Sequence, residues 1–314
     1  MSQDEGINMT SVEILADSNP YLDCYNAFLK SAPEDIAHVF NTDLNEETRR
    51  KHHNMLDVQI AMKYAWAIPD ERALKIIKSY GPIVEMGAGT GYWAKLLELR
   101  GVDIVCYDLH GSESIEVEGA TEAQGSNDDD NSDREGRVDE EGELLEQYYW
   151  TKVWSGTPEV LSKHTDRTLL LCYPDDFEES EESMALNCLE HYNGDTIIHV
   201  GEWLGQTLCL PDAWGRTSSP EFQVKLSTIY HKVLQVPLPS WHSSMDTLTV
   251  WKRTRTCIMD DGMYAYIPPE ERLDLTAACS STRHLLVLPN NAKESDLYLR
   301  KRSRLSESDT SKIT

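Results

Sequence analysis

The residues whose types and spacing could do chemistry begin at position 85. Glu85, Gly87, Gly89 and Gly91 make the pattern E-x-G-x-G-x-G inside IVEMGAGTGYWAKLLELRGVDIVCYD (83–108), and Asp108 closes that stretch seventeen residues after Gly91. Glycines this close together clear side chains from a turn, so that a ligand can approach the main chain. Carboxylates at both ends accept hydrogen bonds from an ammonium group or from paired hydroxyls. Two phosphate-binding chemistries fail on the same residues. The dinucleotide fingerprint G-x-G-x-x-G requires glycine at position 92, where this chain has Tyr92, and no Lys-Ser/Thr pair follows the turn as a P-loop requires. Tight-turn chemistry with no ligand remains a second reading of the three glycines.

With an acidic residue two positions before the first glycine and Asp108 ending the second apolar run, the stretch resembles the first motif of class I S-adenosylmethionine-dependent methyltransferases. The resemblance covers a little over half the chain, from about 82 to 252. It implies that Glu85 meets the methionine amino group, directly or through water. It also implies that Gly87, Gly89 and Gly91 lie under the ligand and that Asp108 takes the ribose hydroxyls. The implied cofactor is S-adenosyl-L-methionine. The runs YAWAIP, LLLCYP and HVGEW are similar to those of one branch of the superfamily, and they specify no acceptor.

The same resemblance directs attention to the ends of the later strands. Trp154, before Ser155-Gly156, is a candidate to stack on adenine, with a place in the core as the alternative. In LLLCYPDD, Tyr173 and Asp175 are candidates for contact with the acceptor. The stretch is similar to the D/N-P-P-Y/F motif of amino-group methyltransferases, but Cys172 replaces its leading polar residue and Asp175 its second proline. Nitrogen as the methylated atom therefore does not follow from it. In HVGEWLG, His199, Glu202 and Trp203 fall near the mouth, and Glu202 is the candidate general base. The segment YAWAIP (64–69) is placed to fold over the cofactor, with Trp66 either in that lid or in the core. No metal site is expected.

The elements that must position these residues alternate. Helical periodicity runs from 20 to 80, with a break at KSAPEDIAHVF where Ser31 and Pro33 suit a helix start, and a further helix across HHNMLDVQIAMKYAW. Strands are predicted at 83–86, 103–107, 151–156, 167–174 and 195–202, with helices at 92–100, 157–164, 180–193 and 219–229. HKVLQVPLP and DTLTVWKR read as an antiparallel pair at a sheet edge, and RHLLVLP (283–289) as one more strand. This order predicts an α/β, doubly wound, mostly parallel seven-stranded sheet with a Rossmann-like methyltransferase fold and a helical N-terminal cap. The expected organisation is a flexible terminus (1–18), the cap (19–80) and the methyltransferase-like domain (81–253). A C-terminal extension (254–292) and a disordered tail (293–314) follow.

Composition sets the remaining bounds. Of the formal charge of −25, −12 lies between Gly111 and Glu146, where fourteen Asp or Glu stand against two Arg. That segment lacks aromatics and is expected to be a disordered surface insertion (111–146), with a basic protein as its possible partner class. Such acidity argues against a body that grips duplex nucleic acid through clustered cations. Seven cysteines without a C-x-x-C pair, no apolar run long enough to cross a bilayer and no secretory signal point to a cytoplasmic protein. RKRSR (300–304) is a weak nuclear-localisation-like patch. The expectation is methyl transfer to a small-molecule acceptor. The alternative is a catalytically inactive methyltransferase-like binding or scaffold protein, with a nicotinamide oxidoreductase disfavoured by the glycine spacing.

Overall fold

The computed structural model describes residues 18–56, 58–113, 148–175 and 182–273. The first element is α1 (Pro20–Ser31), followed by α2 (Glu46–His53), α3 (Val58–Lys63) and α4 (Glu71–Ser79). Asn19 caps α1 by accepting from Leu22 N at 3.2 Å, with Pro20 at the first helical position. Asp70 caps α4 by accepting from Ala73 N at 2.7 Å. Two helical readings change. Ser31 ends a helix instead of starting one, and only a single 3₁₀ turn, Ile36–His38, follows Pro33. The continuous helix expected across 52–66 is split between α2, which stops at His53, and α3.

The sheet then alternates with helices as expected. Its strands are β1 (Ile83–Met86), β2 (Ile104–Asp108), β3 (Trp154–Ser155), β4 (Thr168–Cys172), β5 (Thr196–Gly201), β6 (Tyr230–Pro237) and β7 (Thr247–Arg253). The intervening helices are α5 (Tyr92–Leu99), α6 (Met184–His191) and α7 (Pro220–Ile229), with a 3₁₀ turn at Pro158–Lys163. Strand order is β3-β2-β1-β4-β5-β7-β6, and β7 runs antiparallel to both β5 and β6. This is the class I methyltransferase fold. The two final strands are the antiparallel pair read from the sequence, but β7 is inserted beside β5 and only β6 forms the edge.

Helices cover both faces, which is why β4 is buried at every position and apolar from Leu169 to Cys172. Leu170 and Cys172 pack with Ile83, Ile198, Val250 and the helices α4 and α5 on one side. Leu169 and Leu171 pack with Met86, Ile197, Trp251 and the helices α6 and α7 on the other.

A two-stranded sheet follows, β8 (Arg255–Met259) and β9 (Gly262–Tyr266), exposed along both strands. It was not read from the sequence, although Asp261-Gly262 between two short runs is a hairpin signal. The compact unit ends at Pro268. Of the second unit, Pro269–Thr314, one 3₁₀ turn at Pro269–Glu271 is described. Residues 1–17, nearly all of the acidic insertion, RHLLVLP, RKRSR and the tail lie outside the described residues. Among the described residues no helix is long and apolar enough to cross a membrane.

Candidate functional site

The glycine turn joins β1 to α5 at the carboxyl ends of the parallel strands, where open α/β sheets bind ligands. Gly87 N and Ala88 N both donate to the Tyr107 carbonyl, at 2.9 and 3.0 Å, which fastens the turn to β2. Gly87, Gly89 and Gly91 all have positive φ, at 74°, 54° and 72°. Two of these glycines differ in what surrounds them. A Cβ at Gly91 would meet Val153 Cγ2 at 2.9 Å and Thr151 Cγ2 at 3.0 Å, whereas a Cβ at Gly89 would meet nothing within 4 Å. Gly91 is thus required by packing, and Gly89 borders open space over exposed main chain.

Glu85 sits in β1 with 1% of its surface exposed. Its Oε2 has no hydrogen-bond partner among the described residues. Burial, and next the nearby Asp108 charge, push its carboxyl up to about 8, while the Ala94 N–H at the start of α5 opposes the shift. Asp108 ends β2 half-buried, its Oδ2 accepting from Gly89 N at 2.8 Å and its Oδ1 from His110 N at 3.2 Å. Each oxygen keeps a further lone pair for a hydroxyl donor. Trp154 is half-buried in β3, beside Tyr107, with Lys152 Nζ 3.7 Å over its ring. One indole face therefore already carries a cation.

The segment 64–69 lies against this turn. Thr90 Oγ1 donates to the Tyr64 carbonyl, and Trp93 Nε1 to Ala67 O at 3.3 Å. Trp150, just after the acidic insertion, donates its N–H to Thr90 O and its indole to Lys63 O, both at 2.8 Å. The Tyr64 ring stacks on Tyr21 at 5.0 Å and on Trp150 at 5.4 Å. Trp66 is 43% exposed, which takes it out of the core.

The candidates at β4 and β5 separate. Tyr173 follows β4 with φ at +50°, and its hydroxyl donates to Asp246 Oδ1 at 2.5 Å. Glu202 follows β5, buried, with Oε2 accepting from Arg216 N at 3.0 Å and Oε1 from Met245 N at 3.4 Å. Asp246 immediately precedes β7. Because β7 is antiparallel to β5, with Thr247 opposite Gly201, Asp246 arrives at the same end as Tyr173 and Glu202. Asp246 is buried, and its carboxyl is pushed up to about 7 by desolvation, opposed by the Tyr173 hydroxyl and reinforced by Glu202.

Asp175 stands apart from this group. Its Oδ1 accepts from Ala185 N at 3.0 Å, and its Oδ2 from Ser183 Oγ at 2.9 Å and Ser219 N at 2.6 Å. Those partners start α6 and α7, so Asp175 fastens two helix N-termini together. His199 is also away from the mouth. It is fully buried against Trp203 and Phe222 beneath α7, with both ring nitrogens unpartnered among the described residues. Burial, then Lys232, lowers its basicity to about 3, which keeps it neutral. Sequence reasoning missed Asp246 and Trp150. Asp246 opens the strand-like run DTLTVWKR, and no local pattern separates it from a strand-end aspartate.

No family model matches the chain, and no curated protein matches its sequence. Among solved structures, a mutant of MtNAS, a nicotianamine synthase, is similar with a TM-score of 0.30 at 13% identity, covering 80% of this chain and 78% of that one. A likeness that weak does not bear on chemistry. The fold assignment stands on the strand order and the antiparallel β7.

Proposed function

We propose that the chain is an S-adenosylmethionine-dependent methyltransferase acting on a small-molecule acceptor. The observation that carries the reading is the unpartnered, buried Oε2 of Glu85 beside a turn whose Gly89 borders open space. A buried carboxylate oxygen without a donor is costly, and an ammonium group is the partner that removes the cost. Glu85 would hold the amino group of the methionine moiety. Asp108 would hold the ribose hydroxyls, and the positive-φ glycines would let the ligand reach the main chain. Trp154, packed in part against the core, would offer its exposed portion to adenine.

When bound, the cofactor supplies a methyl group on a sulfonium centre that is already electrophilic. The protein's task is then chiefly to orient the acceptor and exclude water, which needs few dedicated catalytic groups. On this reading the acidic insertion would meet a basic protein partner, and no nucleic acid or membrane is required.

Isothermal titration with S-adenosylmethionine, S-adenosylhomocysteine and NADH tests the reading. Micromolar binding of both sulfur ligands and none of NADH is the expected result. Folded Glu85 holds its proton up to about pH 8, and an ammonium favours its ionised form, so binding expels a proton. Affinity for S-adenosylhomocysteine should therefore rise between pH 6 and 7.5, by up to about tenfold per unit. A second reading, a ligand-free scaffold, draws on the two main-chain N–H groups that already occupy Asp108. It predicts no heat with either sulfur ligand.

A further inference from the structure

Across the rim from the glycine turn, Tyr173, Ser244 and Asp246 form a hydrogen-bonded set with Glu202 beside it. Tyr173 is the one non-glycine residue with positive φ among the described residues. Its N–H donates to Val200 O at 3.0 Å, which fixes the ring's origin, and its hydroxyl is 2.5 Å from Asp246 Oδ1. Asp246 Oδ2 accepts from Ser244 Oγ at 3.4 Å, and Asp246 N–H donates to Ser240 Oγ at 2.8 Å. Asp246 is 2% exposed whereas Tyr173 keeps part of its surface exposed, so Tyr173 is the less buried member of the pair.

The groups whose charge bears on Asp246 come from every element around it. Glu202 faces it from β5, Tyr173 and Cys172 from β4, and Tyr21 and Tyr25 from α1. All of these are acids. Cys172, the last residue of β4, feels the charges of both Glu85 and Asp246, and Glu85 Oε2 is buried without a hydrogen-bond partner among the described residues.

Resting on the methyltransferase reading, we propose that Tyr173 and Asp246 form the proton-accepting pair for the acceptor, and that the acceptor is an amine arriving as its ammonium ion. A low-dielectric rim bearing Asp246 and Glu202 attracts a cation and repels a carboxylate or phenolate acceptor. An ammonium nitrogen has no lone pair to offer until it loses a proton. The Tyr173 hydroxyl accepts that proton while passing its own to the Asp246 carboxylate. The freed lone pair then forms the N–C bond as the C–S bond breaks, its electron pair going to sulfur. The product leaves as a methylated ammonium, and Asp246 returns its proton to water. Tyr173 touches the acceptor, and Asp246 acts through it as a positioning residue.

The test uses the full chain saturated with S-adenosylhomocysteine, titrated calorimetrically with putrescine and benzylamine and, as uncharged counterparts, 1,4-butanediol and benzyl alcohol. At least one amine should bind, with affinity rising about five- to tenfold from pH 6 to 7 and levelling above that, and neither alcohol should bind. In Asp246→Asn the pH dependence should vanish while S-adenosylhomocysteine still binds. Tyr173→Phe, which keeps the ring, should lower amine affinity about tenfold at pH 8, in line with one lost charge-assisted hydrogen bond. Binding of alcohols as well as amines, of neither amine, or an unchanged pH profile in Asp246→Asn would overturn the proposal. Failure of the wild-type chain to bind S-adenosylhomocysteine would overturn the methyltransferase reading itself, and this inference with it.

Discussion

The two halves of the rim are built differently. The half around Glu85, the glycine turn and Asp108 comes from one unbroken stretch, and β1 and β2 lie side by side in register. The half around Tyr173, Glu202 and Asp246 comes from three strands, with Tyr173 and Asp246 separated by 73 positions in sequence. The first needs only two neighbouring strands with the turn and helix between them. The second exists only when β7 enters the sheet antiparallel beside β5. Both halves nevertheless bury a carboxyl that keeps its proton near neutrality, Glu85 up to about 8 and Asp246 up to about 7.

The largest effect expected from this comparison concerns those two acids. Asp246 has an ordinary value of 3.8 and a folded value of about 7. The folded chain binds the extra proton, so stability is full below about pH 4, falls as pH rises to about 7 and is flat above. Asp246→Asn removes that loss and should be more stable than the wild type at pH 8, by up to about 4 kcal/mol, and no more stable at pH 4. Glu85→Gln should behave likewise, with its window ending near 8. Urea melts at pH 4.5 and 8 decide this. A variant less stable than the wild type at pH 8 would show that the carboxylate is satisfied in the fold.

Next in size is a contrast within the glycine turn. Gly91→Ala forces a Cβ against Val153 and Thr151 at positive φ and should cost about 2–3 kcal/mol, combining left-handed strain with overpacking. Gly89→Ala meets open space and should cost only the backbone strain, about 1 kcal/mol, while weakening S-adenosylhomocysteine binding more than Gly91→Ala does per unit of stability lost. Equal effects of the two substitutions on both readouts would remove the distinction between packing glycine and ligand-facing glycine. Asp108→Ala should follow, lowering cofactor affinity by about 1.5–3 kcal/mol, the range for a lost hydrogen bond to a charged group. It also frees Gly89 N. Unchanged affinity in a folded Asp108→Ala chain would sink the ribose assignment. The smallest effect is that of Lys152→Ala, which uncovers one face of Trp154 and should change stability by about 0.5–1 kcal/mol at most.

How much of the site was legible follows the same division. Glu85, the glycines and Asp108 could be named because they lie in one short stretch whose spacing resembles the first motif of class I methyltransferases. The runs at β4 and β5 were legible because a strand covered on both faces is mostly apolar instead of alternating. The pairing of β6 with β7 could be read, but the insertion of β7 beside β5 could not, because a hairpin's sequence does not say which strand docks on the sheet. Asp175 read as an acceptor contact beside Tyr173, yet the α6 and α7 N-termini converge on it.

By itself, the sequence determined the alternation of strands and helices, the glycine turn with its flanking acids, and hence the fold class, because these depend on interactions between residues close in the chain. Tertiary structure alone decided which carboxylates lose water, which gain backbone donors and which keep an empty lone pair. Glu85, Asp175, Glu202 and Asp246 are the same kind of group in the sequence. Desolvation and hydrogen bonding act through distances across the folded chain, and those distances make one a helix tie, one a main-chain acceptor and two buried acids facing the same rim.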